Sequence, residues 1–163
     1  MKKKLKSKKF KFIPVNKPLI TKEDLSYVNR CISKGWISSE GPEVKKFENN
    51  FSNFIGHKYA VAVSSGTAAL EIAVKSLNLK KNDEIIIPNF TIISNAIAVL
   101  KENLNLRLID CNLEDWNMDI DKIKAKITKK TKAIIATHIY NFPLRVDILK
   151  KICKKNNIIL IED

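Results

Sequence analysis

The chain has 163 residues, of which 45% are hydrophobic, and this suffices to bury the core of one domain. No apolar run approaches the roughly 20 residues of a membrane-spanning helix, and the lysine-rich N-terminus lacks the apolar stretch of a secretion signal. The net charge of +13 suggests a nucleic-acid binder as one hypothesis. However, seven lysines lie within the first eleven residues and only three arginines occur in the chain. We therefore interpret residues 1–12 as a basic, disordered tail.

The cysteines and histidines further limit the kinds of site that the chain could contain. Cys31, Cys111 and Cys153 are odd in number and widely spaced, which predicts neither a disulfide framework nor a Cys-x-x-Cys site. Two histidines, His57 and His138, stand far apart and do not indicate a metal centre. A reducing cytoplasm is the expected location.

Two helices are predicted after the tail. Prolines make residues 13–18 an extended entry segment. Thr21–Asp24 resembles a capping box, and apolar residues at helical spacing follow it up to Gly35. A second apolar stripe runs from Val44 to Phe54 and ends at Gly56.

From here apolar, β-branched runs recur at intervals too long for hairpins. The runs are Tyr59–Val63, Glu84–Ile87, Leu106–Ile109, Ala133–Ala136 and Ile158–Ile161. Helical patterns separate them, which is typical of parallel strands joined by crossover helices. Because the runs are continuous rather than alternating, we expect helices on both faces of the sheet. The predicted fold class is α/β.

The first crossover contains a candidate anion site. Ser65, Gly66 and Thr67 stand where the first predicted strand meets an amphipathic helix. The first amides of a helix lack partners, and the helix dipole adds positive potential there. Glycine lets a phosphate approach the main chain, and the two hydroxyls can donate hydrogen bonds. The alternative is that Ser65 or Thr67 simply caps the helix.

Polar residues also follow the other predicted strands. They are Asn89 and Thr91, Asp110, His138 and Tyr140, and Glu162 and Asp163. Parallel sheets place their chemistry at the carboxyl ends of the strands. We therefore expect these groups to gather along one edge of the sheet.

These strand ends, together with their spacing, resemble the DegT/StrS family of pyridoxal-phosphate-dependent sugar aminotransferases, and most of all its perosamine-synthase-type members. The matching stretches are Ile13–Pro18, Gly35–Pro42, Ala60–Leu70, Pro88–Thr91, Asp115–Asp119, His138–Tyr140 and Ile161–Asp163. Asn141 departs from the family's usual glycine, although asparagine tolerates left-handed backbone. The resemblance implies an aspartate-aminotransferase-like (fold type I) large domain, of which residues 13–163 would be the N-terminal portion.

The resemblance also implies a role for individual residues. Ser65, Gly66 and Thr67 would bind the phosphate of pyridoxal 5'-phosphate, and Asp163 would contact its pyridine nitrogen. A carboxylate opposite that nitrogen favours the protonated ring, because each charge stabilises the other. Ile92 falls where family members place a side chain against the ring, where it could pack by dispersion.

Further expectations concern the substrate. The resemblance places Trp36 and Ser38 near it, although an ordinary surface loop is an equal alternative. The implied reaction moves an amino group from an amino acid, glutamate in our interpretation, to a nucleotide-linked keto-deoxy sugar, as in GDP-perosamine synthesis. The family's lysine that bonds the cofactor falls beyond Asp163, so no catalytic lysine is assigned. We expect a homodimeric full-length enzyme, and expect residues 1–163 alone to be poorly soluble and inactive.

Three alternatives stay open. One is a sugar dehydratase of the same family, in which a histidine would replace that lysine. The second is a non-catalytic remnant or partner-binding module. The third is a nucleic-acid binder acting through the basic tail, which the charge distribution does not favour.

Overall fold

The computed structural model describes residues 11–163, so all but the last two residues of the predicted tail lie outside it. The chain divides into two compact units after Ala62, and each is described by itself. The assignment of residues 13–163 to one cofactor-binding portion stays a prediction. Among the helices of the described residues, none has the length and apolar character needed to cross a bilayer.

The first unit contains two helices, α1 (Lys22–Ser33) and α2 (Pro42–Ile55). The predicted capping box at the start of α1 is confirmed. The Asp24 amide donates to Thr21 Oγ1 at 3.3 Å, and the Thr21 amide donates to Asp24 Oδ2 at 2.7 Å. Gly56 ends α2 in the left-handed conformation, at φ +69°, which glycine adopts without steric cost.

The second unit is a sheet covered by helices. Its elements are α3 (Gly66–Ser76), β1 (Glu84–Pro88), α4 (Ser94–Lys101), β2 (Asn105–Ile109), α5 (Ile120–Lys126), β3 (Thr131–Ala136), a 3₁₀ turn (Ile139–Asn141), α6 (Val146–Asn156) and β4 (Ile159–Glu162). The strands are parallel in the order β2-β1-β3-β4. The α/β prediction is confirmed.

Both faces of this sheet are buried, as the continuous apolar strands predict. Successive residues of a strand point to opposite faces, so Ile85 and Ile87 of β1 pack with residues of α3 and α4, such as Val74 and Val99. Ile86 belongs to the opposite cluster, which contains residues of α5 and α6. The two buried central strands therefore hold the carboxyl ends of the sheet in fixed positions.

The predicted strand at Tyr59–Val63 is wrong. The segment has no regular secondary structure, and Tyr59 and Val61 are 74% and 75% exposed. A strand needs a neighbouring strand to satisfy its amides and carbonyls, and the four-stranded sheet does not include this segment. The Ala62 amide instead donates to Glu48 Oε1 of α2 at 2.8 Å.

The strand order reverses direction between β1 and β3. From β1 the chain moves to one side, to β2, and then returns to the other side of β1 for β3 and β4. Such a reversal separates the loops that follow β1 and β3, and ligands of open α/β sheets bind at this point. The residues after these two strands are therefore the place to search for a site.

Candidate functional site

The N-terminus of α3 has the geometry of an anion site. Ser65 is the N-cap, in extended backbone, and its Oγ accepts a hydrogen bond from the Ala68 amide at 3.2 Å. Ser65 therefore does cap the helix, as the alternative interpretation predicts. A hydroxyl that accepts a bond still has its own proton to donate, so capping and anion binding are compatible. The amides of Gly66 and Thr67 open the helix and have no carbonyl partner within it.

The space above Gly66 is open. A Cβ built on this glycine would meet no atom of the chain within 4 Å. Gly66 does not adopt left-handed backbone, so neither strain nor packing requires glycine there. The open space leaves room for a ligand to approach the main chain closely, which a glycine permits.

The first turn of α4 connects this anion site to Asp163. Ser94 Oγ lies 2.8 Å from Thr67 Oγ1. Its neighbour Asn95 donates from Nδ2 to Asp163 Oδ2 at 3.0 Å. Two consecutive residues therefore join the two groups that the resemblance assigns to opposite ends of one cofactor.

Asn95 lies at the centre of a polar network. Its side chain is fully buried, and Nδ2 also lies 2.8 Å from Thr91 Oγ1 and 3.2 Å from Thr137 Oγ1. The Thr91 hydroxyl donates to Thr137 Oγ1 at 3.1 Å, and the Thr137 hydroxyl donates to Asp163 Oδ2 at 3.3 Å. Thr91 follows β1 and Thr137 follows β3, so the network joins the ends of the two strands between which the strand order reverses.

The main chain around Asp163 is fixed by the sheet. The Asp163 amide donates to the Ala136 carbonyl at 2.8 Å, and the His138 amide donates to the Asp163 carbonyl at the same distance. These bonds continue the pairing of β3 with β4. His138 Nδ1 accepts from the Leu144 amide at 3.0 Å, which gives the imidazole a structural task.

A second buried asparagine supports the neighbouring loop. Asn117 is 1% exposed, accepts from the Ile139 amide at 3.2 Å and donates to the Phe142 carbonyl at 3.2 Å. The Asn117 amide donates to the Asp115 carboxylate, and this bond lowers the pKa of that carboxyl. Asn141 has φ +64°, a left-handed backbone that asparagine tolerates in place of the family's glycine.

The remaining predicted residues lie in exposed positions. Ile92 precedes α4 and is 62% exposed, so its side chain is accessible to a ligand. Trp36 and Ser38 lie in the loop between α1 and α2, in the first unit, and are also exposed. Their assignment to the cofactor and the substrate stays a prediction.

Sequence reasoning missed Ser94, Asn95 and Thr137. The helical pattern that follows Glu84–Ile87 depends on the spacing of its apolar residues, which carries no information about the roles of Ser94 and Asn95. Their signal is a Ser-Asn pair among alanine, isoleucine, valine and leucine, because a polar residue inside an apolar helix must find a buried partner. Which partner it finds depends on the strand order.

The residues present fit pyridoxal phosphate. An uncapped pair of amides, two hydroxyls and open space suit a phosphate, and a carboxylate that accepts its protein hydrogen bonds on one oxygen suits a protonated ring nitrogen. Among residues 11–163 no group of three or more metal-ligating side chains stands close enough together to hold a metal ion.

Comparison with known proteins agrees with this chemistry. The chain is 38% identical over 153 residues to GDP-perosamine synthase of Escherichia coli O157:H7, which covers 94% of the chain and 42% of the synthase. It is 34% identical over 151 residues to the GDP-perosamine synthase of Vibrio cholerae, covering 93% of the chain and 41% of the synthase. The chain thus spans about two fifths of the length of these relatives.

A solved structure matches as well. It is that of the E. coli GDP-4-keto-6-deoxy-D-mannose-3-dehydratase with bound hydrated PLP, with a TM-score of 0.84 and 29% identity, over 92% of this chain and 40% of the dehydratase. This match confirms the aminotransferase-like fold. The model of the DegT/DnrJ/EryC1/StrS aminotransferase family matches residues 18–163. With the strand ends, the anion site and the relatives in agreement, this chain belongs to that family.

Proposed function

We propose that this chain forms the phosphate and ring-nitrogen sites of a pyridoxal-phosphate-dependent sugar aminotransferase. The observation that carries the proposal is the pair Ser94 and Asn95, which contacts Thr67 on one side and Asp163 on the other. The reaction would transfer an amino group from glutamate to a nucleotide-linked keto-deoxy sugar. The GDP-perosamine synthases among the relatives support this class of substrate.

Each residue has a defined task in the proposal. The amides of Gly66 and Thr67 and the hydroxyls of Ser65 and Thr67 bind the phosphate. Asp163 holds a proton on the ring nitrogen, and Ile92 packs against the ring. Pyridoxal phosphate supplies an electron sink, which its protonated ring strengthens.

Other parts of the proposal rest on the resemblance. Trp36 and Ser38 contact the substrate, the lysine that bonds the cofactor follows Asp163 in the full-length protein, and that protein is a homodimer. We also propose a cytoplasmic location. The free thiols of the three cysteines support it.

Gly66→Ala tests the phosphate site directly. The added methyl group would meet no atom of the chain, and alanine favours helix more than glycine, so the free energy of unfolding should stay equal or rise. Affinity for pyridoxamine 5'-phosphate, measured by isothermal titration calorimetry, should fall about tenfold or more as a hydrogen bond to a charged group is lost. This ligand binds without forming a covalent bond to a lysine.

The matched control is Ser76→Ala, an exposed position in the last turn of the same helix. It should leave the affinity unchanged. Inorganic phosphate should compete with pyridoxamine phosphate in the wild-type chain. Equal binding by wild type and Gly66→Ala, or no binding by wild type at millimolar ligand, would reject the proposed site.

Amino transfer itself is testable in a hybrid protein. Residues 18–163 would replace the matching segment of the E. coli O157:H7 GDP-perosamine synthase. With glutamate and a GDP-linked 4-keto-6-deoxy sugar, the hybrid should form an amino sugar and 2-oxoglutarate, detected by mass spectrometry. The same hybrid carrying Gly66→Ala should be impaired. A hybrid that binds pyridoxamine phosphate as its parent does, yet forms no amino sugar, would contradict the proposal.

The similarity to a sugar 3-dehydratase favours a second candidate function, in which the same sites serve removal of a hydroxyl. The two candidates differ at the position of the cofactor-bonding lysine. The identity of that residue in the full-length protein decides between them, because a lysine supports the aminotransferase and a histidine supports the dehydratase.

A further inference from the structure

We propose that Asn95 is a positioning residue for Asp163, fixing the carboxylate so that one oxygen is free for the ring nitrogen of the cofactor. This inference rests on the proposed function. Both hydrogen bonds that the carboxylate accepts from other side chains end on Oδ2, one from Asn95 Nδ2 and one from the Thr137 hydroxyl. Oδ1 is therefore the oxygen left for a ligand.

The hydrogen bonds of the network are donated in the direction of the Asp163 carboxylate. Each threonine hydroxyl has one proton; that of Thr91 goes to Thr137, and that of Thr137 goes to Asp163. The Asn95 amide has two, and its nearest acceptors are Thr91 Oγ1 and Asp163 Oδ2. The carboxylate is thus the terminal acceptor, which is the role that an ionised group fills best.

The orientation of the Asn95 amide follows from the same reasoning. If its oxygen and nitrogen were exchanged, Oδ1 would face the Asp163 carboxylate, and two acceptors would meet without a proton. In the observed orientation Oδ1 of Asn95 is buried without a hydrogen-bond partner. An unpaired buried acceptor costs stability, so a leucine of similar shape would suit packing better. The amide is explained by what it does for Asp163 and not by the core.

The position of Asn95 in the fold allows it to fix the orientation of the Asp163 carboxylate. The side chain is fully buried in the first turn of α4, between the loop after β1 and the loop after β3. The preceding residue, Ser94, contacts Thr67 beside the predicted phosphate site. A rigid helix turn therefore sets the carboxylate and the phosphate site in one frame.

The test compares Asn95→Leu with wild type in the full 163-residue chain. The probes are pyridoxamine 5'-phosphate, labelled with ¹⁵N in the ring, and its deaza analogue, in which carbon replaces the ring nitrogen. Asn95→Leu should weaken binding of pyridoxamine phosphate about tenfold, the effect of one lost hydrogen bond to a charged group. Affinity for the deaza analogue should hardly change, because it has no nitrogen for Asp163 to hold. The ¹⁵N chemical shift should move towards that of the unprotonated ring.

The matched control is Asn117→Leu, which removes an equally buried asparagine that does not contact Asp163. It should leave the ¹⁵N shift unchanged even if it destabilises the fold. Asp163→Asn should reproduce the selective loss seen with Asn95→Leu. Circular dichroism and thermal melting establish that each variant is folded.

Asn95→Asp gives an independent measurement if the leucine variant does not fold. It keeps the shape of the side chain but sets a second carboxyl group against Asp163, so that a proton is needed between them. Affinity for pyridoxamine phosphate should then depend on pH far more steeply than in wild type. A flat profile would overturn the proposal.

The two proposals fail differently. If wild type does not bind pyridoxamine phosphate, the proposed function is wrong. If wild type binds it with a protonated ring and Asn95→Leu does the same with equal affinity, the proposed function stands and the positioning role is wrong. An equal loss of affinity for pyridoxamine phosphate and for its deaza analogue would also overturn the positioning role, since that result indicates a general structural role for Asn95.

Discussion

Glu84 lies at the amino ends of the strands, opposite the candidate site, and several interactions hold its side chain in place. It begins β1, is 7% exposed and forms a two-pronged ion pair with Arg107, with distances of 2.7 and 3.1 Å. The Thr128 and Thr131 hydroxyls also donate to its Oε2. Chiefly because of the Arg107 and Thr128 hydrogen bonds, the pKa of Glu84 falls from 4.5 to about 2.

This lowered pKa predicts an acid-dependent loss of stability. The unfolded chain binds the proton near pH 4.5 and the folded chain only near pH 2, so the stabilisation is complete above 4.5 and is lost as the pH falls from 4.5 to 2. Glu84→Gln should lower the free energy of unfolding at pH 7 by about 1–3 kcal/mol, because Arg107 and the threonine hydroxyls lose a charged acceptor for their hydrogen bonds. Urea unfolding at several pH values should show a flatter profile below pH 4.5.

Glu114→Gln is the control, because Glu114 is an exposed carboxylate in a loop. It should change the free energy of unfolding by no more than about 0.5 kcal/mol at any pH tested. A Glu84→Gln variant that keeps the wild-type acid dependence would show that other groups cause it.

At the scale of elements, the sequence predicts an element correctly where the residues that determine it are close together in the chain. The capping box at Thr21 depends on residues three apart, and the buried strands β1 and β3 on continuous apolar runs, and each was predicted correctly. Tyr59–Val63 has the same apolar character but forms no strand, because strand formation depends on a distant partner. A single run of residues does not contain that information.

The candidate site follows the same division. Ser65, Gly66 and Thr67 could be identified from the sequence because small polar residues with a glycine at the start of an amphipathic helix form a local motif, although the strand predicted before them does not form. The strand-end pattern also included Asp163, but its role at the ring nitrogen could be predicted only through the resemblance. The contact of Asn95 with Asp163 joins residues 68 positions apart and requires the reversal in strand order, which the sequence pattern alone does not specify.

At the scale of the whole molecule, net charge and exposed apolar surface have opposing effects on association. The charge of +13 makes copies of the chain repel each other. The first unit has an apolar groove of about 600 Å³ between α1 and α2, whose lining includes Tyr27, Val28, Phe47, Phe51 and Phe54. Several of these side chains are more than half exposed. Burying such surface is favourable by about 25 cal/mol per Å², once the repulsion is screened.

We therefore predict that salt drives self-association. The Debye length shrinks from about 30 Å at 0.01 M to about 8 Å at 0.15 M salt, so repulsion between copies weakens while the apolar attraction stays. Sedimentation velocity should show larger species as salt is added. The double variant Phe47→Ser with Phe54→Ser should reduce this effect, whereas Leu113→Ser, an exposed leucine in a loop of the second unit, should not. Association that decreases with salt would instead indicate contacts between opposite charges, and the groove would then not be its cause.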